Sequence, residues 1–132
     1  MRVLGLDHGA ARTGVALSDP TGTIATPLPA IERVGARRGR RTLLRLIEER
    51  QVDEVVVGLP LGLGGHDTDQ TREARAFAAW LEQALTEAGS PRPVHLYDER
   101  FTTRMAQQSG GRDSDEDSRA AAILLEEWLR RA

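Results

Sequence analysis

The sequence predicts an α/β protein with a central five-stranded mixed sheet, in which three antiparallel strands are followed by parallel strands, flanked by helices. The chain opens with short apolar runs separated by turns, which favours an antiparallel meander. It continues with apolar strands that alternate with longer amphipathic segments, and this alternation is typical of parallel pairing. Its length of 132 residues is the size of one domain, so we expect residues 1–132 to form a single domain.

The opening meander is predicted from three short runs. Strands are expected over residues 2–7, 13–18 and 23–28. The tetrapeptide Asp19-Pro20-Thr21-Gly22 has the chemistry of a type I turn and separates the second strand from the third. Proline cannot donate to a strand ladder, so we expect Pro27 and Pro29 to close the third strand.

The second part of the chain alternates helices and strands. Apolar residues three and four apart predict helices, and short runs rich in valine predict buried strands. Asp67 or Thr68 is expected to cap the long central helix. The predicted elements are a helix over 35–50, a strand over 52–59, a helix up to about residue 88, a strand over 94–97, a short helix from residue 102, a loop over 110–113 and a last helix over 114–131.

Composition excludes several classes of protein. The chain has no cysteine, which excludes disulfides, thiol catalysis and cysteine-based zinc sites. No apolar run approaches the roughly 20 residues that cross a bilayer, and the start of the chain lacks the pattern of a signal peptide. We therefore expect a cytoplasmic protein with no membrane partner.

The distribution of basic residues indicates a possible partner more clearly than the net charge does. The net charge is −2, and all 18 basic residues are arginine. Arginine suits bidentate contacts to phosphate. Arg37, Arg38 and Arg41 cluster on the first predicted helix, where they would either track a nucleic-acid backbone or form a solvated face.

Carboxylates stand where apolar elements end or begin. Asp7 ends the first strand, Asp98 and Glu99 end the fifth, and Asp117 heads the last helix on the side of its apolar stripe. Because parallel strands end at one edge of a sheet, these groups are expected to meet. Clustered carboxylates stay ionised when a cation lies among them, and oxygen ligands without cysteine favour Mg²⁺ or Mn²⁺. Two such ions about 4 Å apart can hydrolyse a phosphodiester.

Each of these carboxylates also has a purely structural interpretation. Ser114-Asp115-Glu116-Asp117 fits a helix capping box. Asp7 could bind turn amides, and Asp98-Glu99-Arg100 could be a surface ion-pair cluster. The coincidence of the three positions at one predicted edge favours a metal site.

The same stretches resemble the YqgF/RuvX family of Holliday junction resolvases or pre-16S rRNA nucleases, and the match runs nearly end to end. The segments that carry the resemblance are Gly5-Leu6-Asp7-His8-Gly9, Arg12-Thr13-Gly14-Val15-Ala16, Val56-Val57-Gly58-Leu59-Pro60-Leu61, Tyr97-Asp98-Glu99-Arg100-Phe101-Thr102-Thr103, and Asp117-Ser118 followed by Ala121-Ala122-Ile123-Leu124. The resemblance implies an RNase H-like nuclease domain that depends on a divalent metal.

By this resemblance, Asp7, Glu99 and Asp117 are the expected catalytic metal ligands, with Asp98 in reserve. RuvC-type resolvases carry a glutamate on the fourth strand, and here Val55-Val56-Val57-Gly58 in that strand offers none, so the third ligand has to come from Asp98 or Glu99. The expected contacts to nucleic acid are Gly9, Arg12, Thr13, Arg100, Thr102, Thr103, Arg37, Arg38 and Arg41.

Three functions remain open from the sequence alone. The first is a nuclease acting on branched DNA or on precursor rRNA, as a monomer or a homodimer. The second is a phosphotransferase related to actin and sugar kinases, because Asp7, Gly9, Thr13 and Gly14 resemble a phosphate loop that follows a first strand. The third is a non-catalytic nucleic-acid-binding module.

Overall fold

The computed structural model describes residues 1–98 and 114–131. Three strands pair before the first helix begins, and the third of them lies at the edge of the sheet. The elements are β1 (Val3–Asp7), β2 (Arg12–Ser18), β3 (Ala25–Glu32), α1 (Arg37–Glu49), β4 (Glu54–Leu59), α2 (Asp69–Glu87), β5 (Val94–Asp98) and α3 (Ser114–Arg130).

The strands form one sheet in the order β3-β2-β1-β4-β5. β1 pairs antiparallel with β2 and parallel with β4, while β2 pairs antiparallel with β3 and β4 parallel with β5. The predicted five-stranded mixed sheet is therefore confirmed, and β1 lies at its centre.

Side chains alternate along β1 and divide the core into two layers. Leu4 and Leu6 pack with Leu43 of α1 and Leu81 of α2. Val3 belongs to the second cluster, which α3 covers with Ala121, Ala122 and Leu125. One face of the sheet thus carries α1 and α2, and the other carries α3.

Four strands end at the same edge of the sheet. β3 runs in the direction of β1 because both are antiparallel to β2, and β4 and β5 are parallel to β1. We call this edge, marked by Asp7, Glu32, Leu59 and Asp98, the carboxyl edge. α1 and α2 each follow a strand that ends there, so their positive N-terminal ends lie at this edge.

The third strand corrects one sequence prediction. β3 extends to Glu32 and contains both Pro27 and Pro29, which were expected to close it. β3 is an edge strand paired with β2 alone, and an edge strand tolerates proline where the missing N–H would have faced away from the ladder. The predicted short helix from residue 102 and the loop over 110–113 lie outside the described residues.

The described helices include none that is both long and apolar enough to cross a membrane.

Candidate functional site

Asp7 is the last residue of the central strand. It is half-buried, and its Cα partner on β2 is Gly14. By alternation along β1, its side chain lies on the same face as Val3 and Gly5, the face that α3 covers. The central position of β1 therefore places this carboxylate at the carboxyl edge, directly beneath the start of α3.

Asp117 reaches the same place from the other end of the chain. A Cβ atom added to Gly14 would overlap the carbonyl oxygen of Asp117, so the backbone of α3 is in close contact with this glycine. The neighbouring hydroxyl, Ser118 Oγ, accepts a buried hydrogen bond from the Val15 amide at 3.2 Å. Gly14 is thus the shared neighbour through which the structure brings Asp7 and Asp117 together.

Arg12 forms an ion pair with Asp117. Its Nε donates to Asp117 Oδ2 at 3.0 Å, and the side chains are 35% and 24% exposed. Sequence reasoning placed Arg12 as a phosphate contact and Asp117 as a metal ligand, without relating the two. Their separation of 105 residues left no local pattern from which this pair could be predicted.

Asp98 lies on the other face of the sheet from Asp7. Along β5, Val94 packs against the α1–α2 core. His95 and Tyr97 contact the ring of Trp128 in α3, with centroids 4.8 and 5.8 Å away. Alternation therefore directs the Asp98 side chain, like that of Val94, toward the α1–α2 face.

Glu99, the other candidate for the third ligand, lies outside the described residues, as do Arg100, Thr102 and Thr103. Among the side chains that the structure describes, in residues 1–98 and 116–131, no group of three histidine, aspartate or glutamate residues is arranged to hold a metal ion. The described part of the site thus consists of Asp7, Asp117 and the arginine that is bonded to Asp117.

His8 and Thr13 also lie on the α1–α2 face. The His8 ring stacks on Phe77 with centroids 4.7 Å apart. Burial lowers the pKa of His8, and the charge of Glu73 partly offsets this effect. Thr13 is fully buried, and its hydroxyl has no hydrogen-bond partner among the described residues. In this arrangement the Thr13 side chain is not accessible to a phosphate.

The connection from β1 to β2 is a tight loop. A Cβ atom on Gly9 would overlap the carbonyl oxygen of Arg12, so the loop folds back on itself at a point where only glycine fits. The amide of Arg33 donates to the carbonyl of Ala11 at 2.9 Å. This bond ties the loop to the turn before α1, and so joins Asp7 and the arginine-rich helix at one edge.

The arginines of α1 are exposed at this edge. Arg37, Arg38 and Arg41 are all exposed, and the first turn of α1 contains no acidic residue. Arg40 lies 4.9 Å from the ring centroid of Trp80 in α2, a cation–π contact between residues 40 apart that sequence reasoning missed. The result is a positively charged surface next to the 8–11 loop.

Comparison with known proteins identifies the family. The model of the family described as "RuvX: Holliday junction resolvase" matches residues 1–131. The chain belongs to the RuvX family. A protein of Maridesulfovibrio salexigens named "Putative pre-16S rRNA nuclease" is 41% identical, with all of both chains covered. A protein of the same name from Koribacter versatilis is 39% identical over 98% of this chain and 87% of its own.

Solved structures agree on the fold. The structure titled "T. thermophilus RuvC in complex with Holliday junction substrate" matches with a TM-score of 0.61 and 18% identity, covering 98% of this RuvX chain and 93% of its own. These matches confirm three predictions: the RuvX family, the RNase H-like fold, and a nuclease acting on nucleic acid. Family membership sets the phosphotransferase alternative aside.

Proposed function

We propose that this RuvX protein is a divalent-metal-dependent nuclease that hydrolyses phosphodiester bonds in structured nucleic acid. Residues 1–132 act as one nuclease domain, with Asp7, Glu99 and Asp117 as metal ligands. The two candidate substrates are branched DNA of the Holliday junction type and the 5′ end of pre-16S rRNA, which correspond to the family description and to the names of the relatives.

One observation carries this proposal: Asp7 and Asp117, from opposite ends of the chain, are both next to Gly14 on the same face of the sheet. Neighbouring carboxylates repel each other unless a cation compensates them. Their oxygen-only donor set fits Mg²⁺ or Mn²⁺. A divalent cation held there supplies activation of a water molecule and stabilisation of the leaving oxygen.

The third ligand is assigned to Glu99 rather than to the reserve candidate Asp98. This choice is supported by the alternation along β5, which directs Asp98 toward the α1–α2 face and away from Asp7 and Asp117. Asp98→Asn should therefore reduce cleavage far less than Glu99→Gln, and equal losses would contradict the assignment.

The substrate backbone is proposed to lie along the carboxyl edge on the side of α1. The exposed Arg37, Arg38 and Arg41 supply the positive charge, and the N-terminal ends of the helices add to it. Gly9 and Arg12 form the proposed contacts nearest to Asp7. Arg100, Thr102 and Thr103 remain proposed contacts, whereas the side chain of Thr13 is buried.

A cleavage assay with Asp7→Asn tests the chemistry. Wild-type protein should cleave a four-way DNA junction or a precursor rRNA only with Mg²⁺ or Mn²⁺. Asp7→Asn removes a metal ligand, so it should lower the rate by at least the roughly 10–100-fold that is typical of changing a ligand's hydrogen-bond partner. Asp69→Asn, an exposed carboxylate at the same edge, is the matched control and should cleave normally. Metal-dependent cleavage at full rate by Asp7→Asn would refute the mechanism.

The salt dependence of nucleic-acid binding tests the proposed role of the exposed arginines of α1. Replacing Arg37, Arg38 and Arg41 with glutamine should weaken binding in EDTA and reduce the slope of log K against log salt by about 0.9 for each phosphate that an arginine no longer neutralises. Arg130→Gln, an exposed change at the far end of α3, is the control. An unchanged slope in the triple variant would mean that these arginines form a solvated face.

The same protein preparations can decide between the two candidate substrates. Two coordinated cuts across a four-way junction favour a homodimer, whereas trimming one RNA end needs only a monomer. The rate of junction cleavage should therefore rise with the fraction of homodimer measured by light scattering, whereas the rate of RNA trimming should not depend on that fraction.

A further inference from the structure

The ion pair between Arg12 and Asp117 joins two groups that the proposed function assigns to different ligands. Asp117 Oδ2 accepts from Arg12 Nε at 3.0 Å in the structure. A metal ion would need that carboxylate, and a phosphate of the substrate would need that guanidinium. Asp117 thus already binds a cationic group in place of the metal, and Arg12 already binds an anionic group in place of the phosphate.

The backbone on both sides of this pair is fixed, so any exchange has to occur through the side chains. Asp117 packs on Gly14, and Ser118 is bonded to Val15. Arg12 begins β2, where it pairs with Glu32 of β3, and its backbone follows the tight loop at Gly9. Its side chain is about one-third exposed, which leaves the guanidinium able to turn from Asp117 toward solvent without unfolding the strand.

We propose that Arg12 couples nucleic-acid binding to metal binding by exchanging partners. In the protein without nucleic acid, Arg12 holds Asp117 and competes with the cation for its carboxylate. A substrate phosphate draws Arg12 away and leaves Asp117 available as a ligand, so the site becomes competent when nucleic acid is present. This inference rests on the proposed function, and reciprocity requires that metal strengthen nucleic-acid binding by the same factor.

A metal titration without nucleic acid is the first test. Free Mn²⁺ is followed by electron paramagnetic resonance, and Arg12→Gln should bind Mn²⁺ at least about fivefold more tightly than wild type, the lower range of typical coupling. Arg33→Gln removes an exposed positive charge from the same edge, where its amide contacts the 8–11 loop. This control should change Mn²⁺ affinity less than about twofold, well below that coupling range.

A double-mutant cycle in EDTA is the second test, because it needs neither metal nor cleavage. Fluorescence anisotropy measures the affinity for a labelled four-way junction. Asp117→Asn should tighten binding by releasing Arg12, and most of that gain should vanish in the Arg12→Gln background. Asp69→Asn, which removes one negative charge elsewhere at the edge, should give the same small gain in both backgrounds.

The outcomes separate this inference from the proposed function. Mn²⁺ binding that is present in wild type, abolished in Asp7→Asn and unchanged or weaker in Arg12→Gln overturns the exchange and keeps the metal site. Absence of Mn²⁺ binding in wild type overturns the metal site itself. In that case the cycle in EDTA still decides whether Arg12 is shared: a gain from Asp117→Asn that is equal in both backgrounds overturns the sharing.

Discussion

Gly14→Ala should separate Asp117 from Asp7, because an added Cβ atom at Gly14 makes the shortest contact of those given for the described glycines. Gly14 lies between Thr13 and Val15, where the β2–β3 register shifts. A Cβ atom there would overlap the carbonyl of Asp117 and lie 3.0 Å from the Ser118 amide nitrogen. Non-bonded heavy atoms rest about 3.5–4 Å apart. The first turn of α3 would therefore have to retreat by roughly 1 Å or more.

The expected cost follows from that displacement. Overpacking of this kind destabilises a protein by about 1–3 kcal/mol. For a chain of this length, each kcal/mol lowers the Tm by about 3–4 °C, so a fall of about 7 °C is expected for a cost of about 2 kcal/mol. Displacing one carboxylate by about 1 Å can lower the rate by about 10²-fold. Cleavage should therefore fall much further than stability.

Urea unfolding and cleavage of the same preparations measure both effects. Gly5→Ala is a graded control on the same face, because its Cβ would lie 3.0 Å from Leu125 Cβ and 3.2 Å from the Ala121 carbonyl oxygen. Gly35→Ala is the neutral control, since nothing among the described residues lies within 4 Å of its added Cβ. A Gly14→Ala protein as stable and as active as Gly35→Ala would refute the packing of α3 on β2.

Two further predictions concern α2 and the residue after β1. Thr68→Ala removes a capping box in which Thr68 Oγ1 accepts from the Thr71 amide at 3.2 Å, so urea unfolding should show a loss of about 1 kcal/mol, while Thr68→Ser should retain most of the stability. Burial lowers the pKa of His8 below its ordinary value of 6.5. The stability that neutral His8 contributes to the folded state is thus present above about pH 6.5, and it is lost as the pH falls through the lowered pKa. The stability of wild type relative to His8→Asn should therefore decline between about pH 7 and pH 5, and a flat difference would contradict this assignment.

Local patterns predicted the elements that position the site. The spacing of Ala121, Leu124 and Leu125 placed Asp117 near the buried stripe of the last helix, and all three are buried. The cap at Thr68 was one of the two predicted. These predictions succeed because a helix face and a helix cap depend on residues within a few positions of one another.

The remaining features depend on tertiary pairing. The position of β3 at the edge of the sheet decided that Pro27 lies within a strand, and only the completed sheet order shows that position. The face occupied by Asp98 follows from the register with β4. The ion pair of Arg12 with Asp117 joins distant parts of the chain, and no pattern in the sequence connects two such residues.

If the proposed metal site is formed by Asp7 and Asp117 at Gly14, it also has a consequence for when the protein becomes active during its synthesis. The meander of β1, β2 and β3 can pair early, because its contacts are local in sequence. The proposed metal site requires α3 to dock on β2, and α3 is the last described helix in chain order. In the proposed mechanism, a nascent chain in which α3 has not yet docked therefore lacks Asp117 at the metal site and is not yet competent for cleavage.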